Sequence, residues 1–206
     1  MGETGTDAAV EAIRAGKPVL LPTDTVYGLC TTPYRDGPAW RVYRLKRRPE
    51  TQPTALLARD VDMLLECLPE LRGRIGVVAR ALLPGPYTLV LPNPARRFRW
   101  LTGSRVDAIG VRVPELPAPT RAVLDAVGAV LATSANLSGG PDPATLDEVP
   151  EEIRSACAAE VDAGRLPGTP STVIDLTGSE PRVLREGLVP ADDALEHVRE
   201  AMAVQA

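Results

Sequence analysis

Short apolar runs, separated by polar turns and amphipathic stretches, divide the chain into strands and helices. Compact apolar runs predict strands, and stretches with one apolar side predict helices. The strands are predicted at residues 18–21, 54–57, 87–91, 108–113, 129–132, 172–175 and 182–184. The helices are predicted at residues 7–15, 37–46, 61–68, 71–83, 119–127 and 192–204, with one acidic helix inside 141–166. Because strands and helices mix without strict βαβ alternation, the pattern favours a mixed α/β (α+β) fold over a Rossmann sheet.

The domain organisation follows from length and spacing. The chain has 206 residues, no internal repeat and no linker long enough to divide it, which suits one domain. We therefore expect a single domain over residues 1–206, with a core at about 7–190 and a C-terminal helix at about 191–204. Neither a dinucleotide-binding glycine motif nor a P-loop occurs in the sequence.

The net charge and the small number of histidines and cysteines exclude several classes of function. A net charge of -4 argues against a surface that coats nucleic acid, although it leaves room for a local basic cleft. One histidine and three scattered cysteines provide almost no material for a Ser-His-Asp triad or a zinc site. The cysteines fit a reducing cytoplasm, and we expect no signal peptide and no membrane span.

Four polar segments each follow an apolar strand or helix, where a ligand can meet side chains and backbone N–H groups. They are residues 22–28, 46–49 and 133–140, and the pair 170–175 with 182–187. Each also has a purely structural interpretation: a capped turn, a helix end with cations, a Ser/Asn/Gly turn and an edge hairpin, respectively. Taken singly, none of the four decides between structure and function.

Two cationic features point to an anionic ligand. Lys46, Arg47 and Arg48 are consecutive cations that repel one another, and a bound anion such as phosphate would offset that repulsion. Arg112 lies within an apolar strand and needs a partner, either a carboxylate of the protein or an anionic group of a substrate.

Read together, these segments resemble the YrdC-type family of threonylcarbamoyl-AMP synthases. The resemblance rests on an ordered set of motifs that spans nearly the whole chain, and the set is more specific than any one member. The matching segments are Pro22-Thr23-Asp24-Thr25-Val26-Tyr27-Gly28, Lys46-x-Arg48-Pro49, Pro84-Gly85-Pro86-x-Thr88, Val111-Arg112-Val113-Pro114, Thr133-Ser134-Ala135-Asn136-Leu137-Ser138-Gly139, Ser171-Thr172-Val173-Ile174-Asp175 and Leu184-Arg185-x-Gly187.

The resemblance implies a fold and an activity. The fold would be a YrdC-like twisted sheet with flanking helices around a large, positively lined cavity. The activity would be the condensation of L-threonine, bicarbonate and ATP, with Mg²⁺, to threonylcarbamoyl-AMP and pyrophosphate, which makes the chain a nucleotidyltransferase. A separate tRNA threonylcarbamoyl transferase would use the product to form N6-threonylcarbamoyladenosine at position 37 of tRNA.

Roles transfer residue by residue from this resemblance. Lys46, Arg48, Ser134 and Asn136 would hold the nucleotide phosphates and carry the catalysis. Thr88 and Arg185 would also contact ATP. Thr23, Arg112 and Ser171 would bind threonine. No metal ligand is assigned to a side chain.

Three departures from the family pattern qualify the resemblance. The segment Thr54–Ala58 lacks a histidine that many relatives carry, and Arg47 is bulkier than the usual middle residue. We also expect the C-terminal domain of the longer two-domain relatives to be absent. Two alternatives therefore stay open. One is a divergent YrdC-like protein that binds double-stranded RNA or ribosomes. Weak binding of tRNA or double-stranded RNA could also accompany the synthase activity. The other is a carbamoyl-adenylate enzyme that uses carbamoyl phosphate.

Overall fold

The computed structural model describes residues 3–71 and 73–203. Within them one sheet is formed by the strands β1 (Val19–Pro22), β2 (Tyr27–Thr31), β3 (Ala55–Ala58), β4 (Tyr87–Pro92), β5 (Ala108–Arg112), β6 (Ala129–Ser134), β7 (Ala159–Glu160), β8 (Thr172–Asp175) and β9 (Arg182–Arg185). The helices are α1 (Glu3–Arg14), α2 (Asp36–Leu45), α3 (Val61–Cys67), α4 (Arg74–Leu82), α5 (Ala118–Val127), α6 (Glu151–Arg154) and α7 (Ala191–Ala203). Two short 3-10 helices lie at Arg99–Leu101 and Leu146–Glu148.

The sheet is mixed, which confirms the predicted mixed α/β class. Its strands lie in the order β7-β1-β2-β6-β3-β5-β4-β8-β9. The pairs β1/β7, β3/β5 and β4/β8 are parallel, and the other neighbours are antiparallel. This order places β4, β5, β8 and β9 side by side in one half of the sheet.

Helices cover both faces of the sheet because side chains alternate along each strand. On β1, Val19 and Leu21 pack against α1 and α5 in a core that includes Ile13 and Val123. Leu20 points to the other face, where the larger core contains residues of α2, α3, α4 and α7. Successive residues of β1 are therefore buried on alternate faces of the sheet.

The face that carries α1 and α5 stays open over β4, β5 and β8. On β5, Ile109 and Val111 belong to the larger core, while Ala108, Gly110 and Arg112 point to the open side. The β5 positions on this side are small or polar, and they line the cavity described below.

The C-terminal helix lies against the larger core. The Tyr87 hydroxyl lies 2.7 Å from His197 Nδ1, and the two rings meet edge to face at 6.4 Å. The predicted helix at 192–204 is confirmed to Ala203; Val204 lies outside the described residues, as does Arg72 in the predicted helix at 71–83. No helix in the described part of the chain is both long and apolar enough to span a bilayer.

Two strands are absent from the sequence-based prediction. Strand β2 forms a tight antiparallel hairpin with β1, with the turn at residues 23–26, and the apolar pattern predicts no strand directly after this turn. Its two faces are both buried, so it shows no alternation of polar and apolar residues. The short β7 pairs parallel with β1 at the sheet edge.

Candidate functional site

A cavity of about 360 Å³ lies over the open half of the sheet. That volume is within the usual range for small-molecule sites, about 300–1,000 Å³. Seven of the nine residues to which the resemblance assigns a role line it: Thr23, Arg48, Thr88, Arg112, Ser134, Ser171 and Arg185. Segments that are far apart in sequence are thus brought to one place, whereas Lys46 and Asn136 lie behind the lining.

The β1–β2 turn supplies Thr23 to the cavity wall. Its hydroxyl donates to Val26 O at 2.8 Å and accepts from the backbone N–H groups of Thr25 and Val26, both at 3.3 Å. Thr23 is 2% exposed. The hydroxyl therefore shapes the turn in this structure, and its contact with threonine remains a prediction.

Arg112 pairs with a carboxylate of the protein. Its Nη2 donates to Asp24 Oδ1 at 2.6 Å and to Thr25 Oγ1 at 3.3 Å, and the side chains of Arg112 and Asp24 are 11% and 10% exposed. Arg112 Nε and Asp24 Oδ2 are buried without hydrogen-bond partners. Of the two partners considered from sequence, the protein carboxylate is present, and Arg112 still lines the cavity.

The end of α2 separates the three consecutive cations. Arg47 has a left-handed backbone with φ of 51°, and the N–H groups of Arg47 and Arg48 bond to Arg44 O and Tyr43 O. This is the Schellman arrangement, in which a left-handed residue closes the helix. It turns Arg47 outward to an ion pair with Glu152 at 2.6 Å. The three cations therefore do not gather around one anion, and only Arg48 reaches the cavity.

Lys46 is buried beneath the loop that follows β6. Its Nζ donates to Ser134 O at 2.5 Å, and to Asn136 O and Asn136 Oδ1 at 2.7 Å each. Those three acceptors match the three protons of an ammonium group. Burial, followed by the charge of Arg48, lowers the pKa of Lys46 to about 7, although the charge of Asp142 opposes the shift. The lysine thus supports the loop from behind.

Asn136 connects the ends of that loop. Its Oδ1 also accepts from Ser134 Oγ at 2.7 Å, and its Nδ2 donates to Gly140 O at 2.6 Å and to Asp142 Oδ1 at 3.2 Å. The amide has no unused proton. A direct contact of Lys46 or Asn136 with a phosphate, as the resemblance implies, therefore remains a prediction that requires these bonds to rearrange.

Arg48 and Arg185 form the cationic centre of the cavity. Neither has a carboxylate within ion-pair distance among the described residues: Arg48 donates to Pro53 O at 2.6 Å and Arg185 to Ser171 O at 2.9 Å. Burial lowers the pKa of both guanidinium groups, and the charge of Arg185 adds to the shift at Arg48. Two partly desolvated cations without carboxylate partners are suited to bind an anion with several oxygens.

Strands β4 and β8 place Thr88 and Ser171 beside Arg185. The two hydroxyl oxygens are 2.7 Å apart, and Arg185 also lies 3.4 Å from Ser171 Oγ. Gly187 allows the segment after β9 to pass close to residue 171, because a Cβ there would approach Ser171 C to 2.5 Å as well as contact Pro170 O. This glycine keeps Arg185 next to the cavity.

Two charged residues of the lining were missed from sequence. Arg105 lines the cavity and pairs with Asp175 at 2.9 Å, and Asp142 lines it from the loop after β6. Arg105 stands before β5 among turn residues, and Asp142 stands in a Gly/Pro-rich stretch, so neither spacing singled it out. Among the described residues, no group of three or more His, Cys, Asp or Glu side chains is placed to hold a metal ion.

Comparison with known families agrees with the motif order. A family model for Sua5, YciO and YrdC proteins, described as "Telomere recombination", matches residues 11–187. The chain belongs to this family. The match covers every matched motif, from the β1–β2 turn to Gly187.

Two curated relatives carry the same name. The threonylcarbamoyl-AMP synthase of Pyrococcus abyssi is 33% identical over 182 residues, which are 88% of this chain and 53% of that protein. The threonylcarbamoyl-AMP synthase of Escherichia coli strain CFT073 is 35% identical over 154 residues, 72% of this chain and 79% of that protein. The chain thus spans about half the length of the first relative and most of the second.

Solved structures show the same fold. The crystal structure of P. abyssi Sua5 complexed with L-threonine has a TM-score of 0.84 and 31% identity, and the match covers 93% of this chain and 56% of that one. The crystal structure of E. coli YciO has a TM-score of 0.77 and 28% identity, with 89% of each chain covered. The predicted YrdC-like sheet with flanking helices is therefore confirmed.

Proposed function

We propose that the protein is an L-threonylcarbamoyladenylate synthase, which condenses L-threonine, bicarbonate and ATP to threonylcarbamoyl-AMP and pyrophosphate. The observation that carries the proposal is the convergence of seven family-matched residues on one arginine-rich cavity. The names of the curated relatives and the L-threonine bound to P. abyssi Sua5 support it.

The cavity suits a nucleotidyl transfer that works by positioning and electrostatics. Arg48 and Arg185 would bind phosphate oxygens, and Ser134 Oγ and the backbone of its loop would lie beside them. Thr88 would also contact ATP, and Thr23, Arg112 and Ser171 would bind the amino acid. Mg²⁺ would arrive with ATP, because this ion is commonly held by one or two carboxylates together with substrate phosphates. No covalent protein intermediate is needed.

The assay is direct. Purified protein is incubated with ATP, Mg²⁺, bicarbonate and L-threonine, and pyrophosphate and threonylcarbamoyl-AMP are measured. We expect pyrophosphate release that requires both threonine and bicarbonate. Serine and other amino acids, tested in parallel, define the preference. Absence of threonine-dependent pyrophosphate release rules out the proposed reaction.

The RNA-binding alternative is not favoured. The curated relatives are named for the synthase reaction, and the arginines of the cavity face inward toward a space of small-molecule size. Filter binding with double-stranded RNA and tRNA tests it: binding that survives Arg48→Ala, without synthase activity, would favour this alternative. Replacing threonine and bicarbonate by carbamoyl phosphate in the same assay tests the carbamoyl-adenylate alternative.

The cellular setting is part of the proposal. Cys30, Cys67 and Cys157 are free thiols, which fits a reducing cytoplasm. The product would pass to a separate tRNA threonylcarbamoyl transferase. Adding such a transferase and an ANN-decoding tRNA to the assay should yield N6-threonylcarbamoyladenosine in the tRNA.

A further inference from the structure

Among the described residues, Asp142 is the one carboxylate whose side chain lines the cavity. Four arginines share that lining: Arg48, Arg105, Arg112 and Arg185. Two of them are already paired with carboxylates, Arg112 with Asp24 at 2.6 Å and Arg105 with Asp175 at 2.9 Å. Asp142 takes part in neither pair, so its charge needs a separate explanation.

The carboxylate of Asp142 has no cationic partner within 4.0 Å in residues 3–71 and 73–203. Its Oδ1 accepts a hydrogen bond from Asn136 Nδ2 at 3.2 Å. Arg185 and Lys46 are close enough for its charge to oppose the lowering of their pKa values by burial. The carboxylate thus keeps oxygen lone pairs available on the cavity side.

The orientation of Asp142 is built into the structure. Lys46 holds Asn136 Oδ1 at 2.7 Å, and the other end of the same amide holds Asp142. Asn136 also fixes Gly140 O at 2.6 Å, which closes the loop that carries the carboxylate. A buried lysine and a buried amide therefore position one carboxylate at the edge of an anion site.

A free carboxylate beside a triphosphate site repels the substrate unless a cation lies between them. The substrates of the proposed function bring two such cations: the α-ammonium of the amino acid and the Mg²⁺ that accompanies ATP. One carboxylate is enough for either, because an ammonium needs an acceptor and Mg²⁺ in nucleotide sites takes one or two carboxylates plus phosphates.

We propose that Asp142 is the cation-binding residue of the cavity and that its carboxylate receives the positive group carried by the bound substrates. This proposal rests on the proposed function, since that function supplies the cations. Lys46 and Asn136 then act as positioning residues for Asp142 and its loop.

The test uses binding rather than turnover. Calorimetry on the full chain measures the Kd of L-threonine, and the Kd of a non-hydrolysable ATP analogue with and without Mg²⁺, for the wild type and Asp142→Asn. If the ammonium is the ligand, the Kd of threonine rises at least about tenfold and the Mg²⁺-nucleotide Kd is unchanged. If Mg²⁺ is the ligand, the variant loses the Mg²⁺-dependent gain in nucleotide affinity and binds threonine normally. Either result supports the proposal and identifies the source of the cation.

Asp147→Asn is the matched control, because it makes the same change of charge on a side chain that is 94% exposed and does not line the cavity. It should leave all three Kd values unchanged. Wild-type affinities in Asp142→Asn, with a wild-type protein that binds both ligands, overturn the proposal and leave the synthase function standing. A wild-type protein that binds neither ligand overturns the synthase function, and with it this proposal.

Discussion

Lys46 Nζ lies 2.7 Å from Asn136 Oδ1, and neither side chain lines the cavity. The two residues that link the helix α2 end to the loop after β6 therefore stand one layer behind the substrate space. This relationship separates the role of Lys46 from that of Arg48, although the two are only two residues apart.

Replacing Lys46 by methionine should lower stability as well as activity. The substitution keeps most of the side-chain volume but removes the lysine donor from Ser134 O, Asn136 O and Asn136 Oδ1, the last of which keeps its bond from Ser134 Oγ. Each buried acceptor that is left unsatisfied costs about 1–3 kcal/mol. We expect urea unfolding to show a loss of about 3 kcal/mol or more. A Lys46→Met protein with wild-type stability and no activity would instead mean that the lysine serves the substrate alone.

The pH dependence of stability should carry the signature of Lys46. Its folded pKa, about 7, lies below its unfolded value, so between about pH 7 and 10.5 the unfolded state binds more protons. The stability that this group contributes is therefore lost as pH falls toward 7 and regained as pH rises. Urea unfolding from pH 7 to 8.5 should show the wild type gaining up to about 1.4 kcal/mol per pH unit relative to Lys46→Met. Parallel pH curves would contradict this.

The apolar pattern predicts where strands and helices lie along the chain better than it predicts which strands pair in the sheet. Most strands and helices were predicted within a few residues because each buries at least one face, as β5 does with Ile109 and Val111. That β5 lies between β3 and β4 depends on long-range pairing, which no local pattern contains. The sequence therefore predicts the residues of the site but not which of them meet the cavity.

The α2 end shows why residue roles are harder to predict than site membership. Lys46 and Arg48 look equivalent in a motif, yet the left-handed backbone at Arg47 sends them in different directions. Glycine usually marks such a position, and an arginine there leaves no signal in the sequence. Asp142 was missed for a similar reason, since aspartate in a Gly/Pro-rich loop is usually a turn residue.

Arg48→Ala should remove activity and leave the fold intact. Arg48 lines the cavity and has no carboxylate partner in the described residues. Its replacement therefore deprives the substrate of a positively charged contact but breaks no ion pair within the protein. We expect a drop in turnover of about 10²–10³-fold, comparable to the loss of one oriented donor to a developing charge. Steady-state pyrophosphate release measures it.

Arg47→Gly is the control for Arg48→Ala. It removes a neighbouring cation whose side chain is 72% exposed, and glycine accepts the left-handed backbone at this position. We expect normal turnover and an unchanged or slightly higher melting temperature. Equal losses in both variants would mean that total local charge matters, rather than the position of Arg48.

Asp24→Ala should destabilise the protein strongly. The substitution leaves the buried guanidinium of Arg112 without a counter-charge, which costs about 3–5 kcal/mol in comparable buried pairs. Asp147→Ala removes one partner of an exposed pair with Arg154 and should cost less than about 1 kcal/mol. Urea unfolding of both variants compares them, and similar small losses would show that the Asp24–Arg112 pair adds little to the fold.

Gly110→Val should block the cavity without weakening the fold. A Cβ at Gly110 would meet Thr54 O at 3.6 Å and Thr88 Cγ2 at 3.7 Å, which are ordinary contacts, so valine adds its methyl groups to the cavity. Glycine inside a strand costs about 0.5–1 kcal/mol relative to alanine, and the substitution therefore removes a weak point of β5. We expect threonine or nucleotide affinity to fall at least about tenfold while the melting temperature stays equal or rises, with Gly110→Ala intermediate in affinity. Because stability and binding should move in opposite directions, a variant that loses both would show that Gly110 serves the packing of the sheet rather than the space above it.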